Sequence, residues 1–576
     1  MIKAVADLGG EFRLDPGTLR QTRSRSGTMT AVAVHHAPDA VGRRRYVAAW
    51  PERVVMFNGL PIDATGSFSA WDASELDRRW PSLPSVLEGQ FCVVRLDLEA
   101  DRIDVLTDPI GVVQVFYGRR GDAAVVSSSA RAVASALELD ALDPLAISAF
   151  LALGWAVERR TFHAGVGALS GGSLHEIGAG GVRSRQHFGS STTARRGARP
   201  SQRADLARQL VGLSAEAVRA GGPVRCALTA GRDTRVMAAL LRRASVTATY
   251  YTSGEAESTD LVIARELAER FGLAHEPEPD IDPDEVSAAQ TSRFIRQNDG
   301  LASLVQLVDY IDLDRPVHEL GITFWGVGGE IGRAGSGLLN NVAPNLPVGS
   351  RLATVQRRLL RLKIDDAGLL TQSGGGLVLG FLDRFIDERR REGWPTREVS
   401  EAFYTFERVA SWGATGPRRA AGRSDLISPF CTRPFVDYCF SLTPAQRYLE
   451  APHRRLLEEI APEFLEVRFE LPFKARNPAW AGLLASRQAW AGARTRRRHG
   501  VAGTVPPGGQ ESFLDRWLGS QVARLETMAE EAPDLVWDLI DRDRFTTWLR
   551  DDADRVATRD SLLRIATVLW WASASR

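Results

Sequence analysis

The chain has 576 residues, of which 44% are hydrophobic and 25% charged, with a formal net charge of +1. That composition is ordinary for a globular protein with room for two or more cores, and the near-zero charge gives no reason to expect nucleic acid as a partner. No basic start leads into an apolar stretch and no apolar run is long enough for a membrane span, so a cytoplasmic chain is expected.

From the start, short β-rich runs at residues 46–49, 53–57, 91–97, 103–107 and 112–117 are separated by Gly, Pro or Asp, the pattern of short strands with turns between in an α+β unit. Residues 189–203 (GSSTTARRGARPSQR) are small, polar and basic, the composition of an exposed linker. An amphipathic helix is expected over 204–219, a strand over 246–252 and a helix over 261–271. Alternation of strand and helix there implies an α/β unit with a parallel sheet. The expected division is therefore 1–188, a linker at 189–203, and 204–576. From residue 352 onward the pattern is largely helical, and residues 568–572 (VLWWA) read as a buried helix face. The Arg-rich stretch 492–500 reads as solvated surface.

Cys92, Cys226, Cys431 and Cys439 lack paired spacing, against a zinc site or disulfide framework and in keeping with a reducing compartment. Only Lys3, Lys363 and Lys474 are lysine among 72 basic residues.

The segment with most chemical content is 224–235, VRCALTAGRDTR. An apolar run ending at Leu228 enters a small-residue turn, Thr229, Ala230 and Gly231, and a helical pattern over 236–241 leaves it. Such a turn admits a bulky anion beside the backbone, and N–H groups opening the helix carry the positive end of its dipole. Asp233 and Thr234 stand where a carboxylate and a hydroxyl would serve metal and phosphate. The same residues would equally cap a helix in any α/β protein.

The loop resembles the pyrophosphate loop of the asparagine synthetase family, usually Ser-Gly-Gly-x-Asp-Ser. Other segments resemble that family in the same order: Asn58-Gly59, Leu87 to Phe91, Thr107-Asp108-Pro109-Ile110-Gly111, Tyr251 to Gly254, Gly326-Val327-Gly328-Gly329-Glu330, and Asp425 to Phe430. The resemblance implies a degenerate Ntn-hydrolase-like αββα sandwich followed by an ATP pyrophosphatase domain with a parallel sheet. It departs at Ile2, where the family's glutaminase carries its nucleophilic cysteine. Loss of glutamine hydrolysis is expected, with Cys92 an ordinary buried strand residue.

What the resemblance implies chemically is activation of a carboxylate by ATP and displacement of AMP by an amine. ATP would contact Leu228, Thr229, Ala230, Gly231, Asp233, Thr234 and Gly326. Asp233 and Glu330 would hold Mg2+, Glu330 replacing the family's Asp, and Asp260 is a further metal or helix-capping candidate. Arg232 and Arg235 flank the loop as possible phosphate contacts. Lys474 would neutralise phosphate and developing negative charge, although alignment on Arg468 puts Glu470 at that place.

Without a glutaminase the amine must come from elsewhere. The resembling lasso-peptide macrolactam cyclases join an Asp or Glu side chain of a precursor peptide to its own N-terminal amine, and this is the leading expectation. The partners would be a precursor peptide or small carboxylate, with a companion leader peptidase. Alternatives are an ammonia-using asparagine synthetase, a β-lactam synthetase-like tailoring enzyme, disfavoured because Val327 replaces a proton-relaying Tyr, and a non-catalytic nucleotide- or peptide-binding descendant.

Overall fold

The computed structural model describes residues 2–7, 20–23, 29–34, 44–64, 71–178, 180–190, 203–253, 257–278, 286–307, 321–333, 368–395, 398–420, 424–442, 444–447, 451–469 and 513–574. It is a mixed α/β structure. Strands β1 (Ile2–Asp7), β2 (Arg20–Arg23) and β3 (Met29–Val34) form a small sheet. A six-stranded antiparallel sheet contains β4 (Val47–Trp50), β5 (Arg53–Gly59), β6 (Phe91–Asp97), β7 (Arg102–Thr107), β11 (Ser173–Gly178) and β12 (Gly181–Gln186). A three-stranded antiparallel sheet joins β8 (Phe116–Arg120), β9 (Ala123–Ser127) and β10 (Val166–Ala168).

Strand alternation explains how these two sheets stack. Val54, Met56, Cys92, Val94 and Val105 of the large sheet pack with Ala124 and Val126 of the small one. Their sequence neighbours Val55, Phe57, Phe91 and Val93 point the other way, into a different cluster, as the two-residue period of a strand requires. Phe116 and Val125 face helices α1 (Ala130–Leu137) and α2 (Pro144–Leu153).

The strand expected at 112–117 begins later, at Phe116. Buried Asp108 is the reason: its carboxylate accepts the N–H groups of Ile110, Gly111, Val112 and Val113 at 2.6–3.1 Å. Those donors are therefore lost to any strand ladder. Gly111, at φ +78°, completes the turn.

The second sheet system is parallel throughout. It consists of β13 (Val224–Ala227), β14 (Thr249–Ser253), β15 (Ala274–Glu278), β16 (Gly321–Phe324) and β17 (Ser424–Ile427), in spatial order β15-β14-β13-β16-β17. Helices α3 (Arg203–Arg219), α4 (Arg232–Arg243) and α5 (Thr259–Phe271) belong to this part. The chain runs outward from β13 in one direction and returns to its other side at β16. A crevice opens at such a switch point beyond the carboxyl ends of the strands. Strand β17 lies in a region expected to be helical and is a correction to that reading.

Helices α6 (Gln372–Arg391), α7 (Arg433–Ser441), α8 (Ala451–Ile460) and α9 (Arg559–Ala574) complete the elements used below. The 568–572 face is buried in α9 as expected. Buried cores run across the expected 189–203 boundary: Phe57 shares a cluster with Leu210, Phe324 and Phe430. Two polar bridges reinforce it. Gln90 exchanges hydrogen bonds with the Ser428 backbone (2.6 and 3.2 Å), and Glu88 accepts from Arg433 Nε (2.6 Å) and N–H (3.0 Å). No described helix is long and apolar enough to cross a membrane.

Candidate functional site

The loop 229–234 lies at the carboxyl end of β13, beside the switch point. Leu228 is fully buried and donates its N–H to the Tyr251 carbonyl at 2.8 Å. Its carbonyl accepts the Thr252 hydroxyl, which lies 2.8 Å from His275 Nε2. The loop thus rises from a fixed base.

Three of its N–H groups have protein partners, two of them inside the loop. Thr229 donates to Thr234 Oγ1 (3.2 Å), Gly231 to Thr229 Oγ1 (3.0 Å) and Ala230 to Asp260 Oδ1 (2.8 Å). The two threonine hydroxyls are 3.0 Å apart. Asp260 accordingly holds the loop, while Ser258 caps α5. Gly231, the residue before α4, has no side chain to cap that helix, so the positive end of the dipole opens at the loop.

Asp233 projects from the first turn of α4. Its Oδ2 is 2.7 Å from Arg333 Nη2 and its Oδ1 is 2.7 Å from His453 Nε2 on α8. Burial by itself raises the carboxyl pKa, but His453, Arg333 and Arg232 outweigh it and hold the group below the usual aspartate value. Asp233 is therefore a carboxylate whose contribution to stability is present above that usual value and is lost as pH falls through its lowered one.

The loop after β16 closes over this carboxylate. A Cβ on Gly329 would lie 2.2 Å from Asp233 Oδ1, and one on Gly326 would lie 3.2 Å from Asp233 Cβ. Gly328 has φ +83° and its missing Cβ would meet Cys431 Sγ at 2.6 Å. These glycines thus have a packing role: they let one loop pass against the other. Glu330 follows, half exposed, with Oε1 4.0 Å from Arg333 Nη1 and Oε2 4.0 Å from Arg408 Nη1. Val327 is buried, and its carbonyl accepts the Ser428 hydroxyl.

Asp233, Glu330, Gly326 and the 229–234 loop lie close together. Among the described residues no group of three or more His, Cys, Asp or Glu side chains is placed to hold a metal. Lys474, Glu470 and the 492–500 cluster lie outside the described residues.

Arg235 corrects the expectation of a phosphate contact. It is fully buried, donates to the carbonyls of Phe464, Val467 and Arg468 at 2.7–3.1 Å, and stacks 3.6 Å from the centre of Phe469. Burial draws its pKa down to about 10, so it stays charged at neutral pH. Arg235→Ala would leave three carbonyls without their donor, and chemical denaturation should show a loss of about 3 kcal/mol.

His453, Arg333 and Arg408 were not legible as site residues. His453 is one of 9 histidines in a polar helical stretch, and the arginines are lost among many.

All four cysteines are buried and free. Desolvation pushes the thiols of Cys92 and Cys439 up to about 12 and raises those of Cys226 and Cys431 as well. A thiol-specific disulfide reagent at pH 8 should therefore titrate none of them in the folded chain and all four in denaturant. Rapid native labelling would contradict this assignment.

No family model matches the sequence, and no curated protein matches it. Solved structures with some likeness include the allosteric regulatory enzyme of purine biosynthesis, 13% identical over 44% of this chain and 52% of that one, with a TM-score of 0.18. Another is glutamine phosphoribosylpyrophosphate amidotransferase from B. subtilis complexed with ADP and GMP, 14% identical over 53% of this chain and 62% of that one, with a TM-score of 0.17. This chain thus spans less than two thirds of either. The fold is defined by its own strand order.

Proposed function

We propose that the chain is an ATP-dependent, AMP-forming amide synthetase of the asparagine synthetase type, with a degenerate glutaminase-like N-terminal part and an ATP pyrophosphatase-like C-terminal part. The observation that carries this reading is the place of the 229–234 loop. It ends the first strand of a parallel sheet in order 3-2-1-4-5, opens a helix, and is packed by the loop that ends the fourth strand.

In this reading the departing pyrophosphate meets the first turn of α4 and the Thr229 and Thr234 hydroxyls. A carboxylate oxygen of the acid attacks the α-phosphorus, and the bond to the β-phosphate oxygen breaks. An amine nitrogen then attacks the acyl carbon and AMP leaves, the amine losing a proton. Magnesium is commonly held by one or two carboxylates together with substrate phosphates. Glu330, at 4.0 Å from two guanidiniums, retains oxygens to offer. Asp233 offers its own once Arg333 turns away. The ion would neutralise phosphate charge, and Lys474 is assigned a similar part.

Burial of every thiol supports an amine source other than cysteine-dependent glutamine hydrolysis. Closure of a lasso-peptide macrolactam is the specific reaction we place first. A second reading has its own support: the N–H groups of Thr229, Ala230 and Gly231 already have partners, as a non-catalytic nucleotide-binding descendant would allow. Pyrophosphate release separates the two. The enzyme should form it from magnesium-ATP with at least one acid from a panel of amino acids and Asp- or Glu-containing peptides. Nucleotide binding without release under any of them would favour the second reading.

A further inference from the structure

Residues Tyr404–Val409 form a π-helical stretch, a rare geometry that recurs at functional sites. It carries Arg408, whose guanidinium carbon lies 5.2 Å from the ring centre of Tyr404, 5.3 Å from Trp412 and 5.7 Å from Trp155. Trp155 follows α2 in the N-terminal part; the other two rings belong to the C-terminal part. Aromatic faces hold a guanidinium by cation–π attraction and leave its N–H edge for an acceptor.

Among the described residues that edge meets no hydrogen-bond acceptor, and Nε is buried without a partner. Glu330, at 4.0 Å, is beyond hydrogen-bonding distance. Arg408 also connects to the phosphate loop through charge. Asp233 pairs with Arg333, Arg333 approaches Glu330, and Glu330 approaches Arg408. The guanidinium thus stands beside the loop region, on the far side of Glu330.

We propose that Arg408, set by Trp155, Tyr404 and Trp412, anchors the carboxylate of the acid substrate. This rests on the synthetase reading. The planar fork of a guanidinium matches a planar carboxylate with two parallel hydrogen bonds. Neutralising that carboxylate would also relieve its repulsion from the triphosphate as the two approach. The N-terminal part, through Trp155, then forms a wall of the acid pocket and helps to set which acids fit.

The test is calorimetric titration of the full chain without turnover, using N-acetyl-aspartate amide and N-acetyl-glutamate amide as carboxylate probes and magnesium with a non-hydrolysable ATP analogue as the nucleotide probe. Wild type should bind at least one carboxylate probe. Arg408→Ala, and also Arg408→Lys, which keeps the charge and most of the stem, should weaken it tenfold or more. Nucleotide affinity should stay within twofold. Unchanged carboxylate affinity in the folded Arg408→Lys chain, or no carboxylate binding by wild type, overturns the proposal. So does weakened nucleotide binding with the carboxylate probe unaffected, since Arg408 would then be a phosphate residue. Arg408-dependent carboxylate binding by a chain that binds no nucleotide would sustain the anchor and remove the adenylation reading.

Discussion

Asp233→Ala is expected to reduce pyrophosphate formation by about a hundred- to a thousandfold, while far-ultraviolet circular dichroism stays native. The carboxylate stands in the first turn of α4, under the loop of Gly326 and Gly329, and joins α8 through His453 to the Glu330 loop through Arg333. Its loss removes the negative charge proposed for the metal and frees Arg333 to turn toward phosphate. It also leaves buried His453 without its acid partner, so unfolding should show a destabilisation of about 1–3 kcal/mol. Asp233→Asn keeps the shape and should lose activity comparably. Wild-type rates in either variant would remove Asp233 from the site. The stability difference between wild type and Asp233→Asn should narrow as pH falls below the ordinary aspartate value, because the lowered pKa makes the ionised form the stabilising one.

Gly329→Ala should be nearly as damaging, through geometry instead of charge. The added methyl would sit 2.2 Å from Asp233 Oδ1, closer than atoms tolerate, and that oxygen ends a short side chain held from two sides. Either the carboxylate leaves His453 or the loop after β16 lifts. Overpacking of this kind costs about 1–3 kcal/mol, and activity should fall at least tenfold by the same pyrophosphate assay. Gly212→Ala is the control. It lies within α3 with open space around its missing Cβ, and alanine there should stabilise by about 0.5–1 kcal/mol. Equal behaviour of the two variants would mean that the close approach at Gly329 has no consequence.

Much of the sheet framework was legible because alternation is a local signal. Residues 91–97 form the strand that their pattern implied, and the turn at 229–231 falls between a strand and a helix as its small residues required. Long-range effects were not legible. The strand Ser424–Ile427 exists because its backbone pairs with Gly321–Phe324, about a hundred residues earlier, and four residues show too little periodicity to announce it. The start of the strand at Phe116 depends on the carboxylate of Asp108. Arg235 looks like any helix-surface arginine until the chain at 464–468 folds onto it. The charge partners of Asp233 are equally distant: Arg333 by one hundred residues and His453 by more than two hundred. In the sequence, the aromatic surroundings of Arg408 are divided between Trp155 and the 404–412 stretch.

In the proposed reaction, the loop after the first strand of the parallel sheet holds the phosphates that leave as pyrophosphate. The most direct measurement is a crystal structure of the full chain with magnesium and a non-hydrolysable ATP analogue. The β- and γ-phosphates should lie against the N–H groups opening the helix Arg232–Arg243, within hydrogen-bonding distance of Thr229 and Thr234. A nucleotide bound elsewhere, with Thr229, Thr234 and Asp260 keeping their present partners, would contradict it.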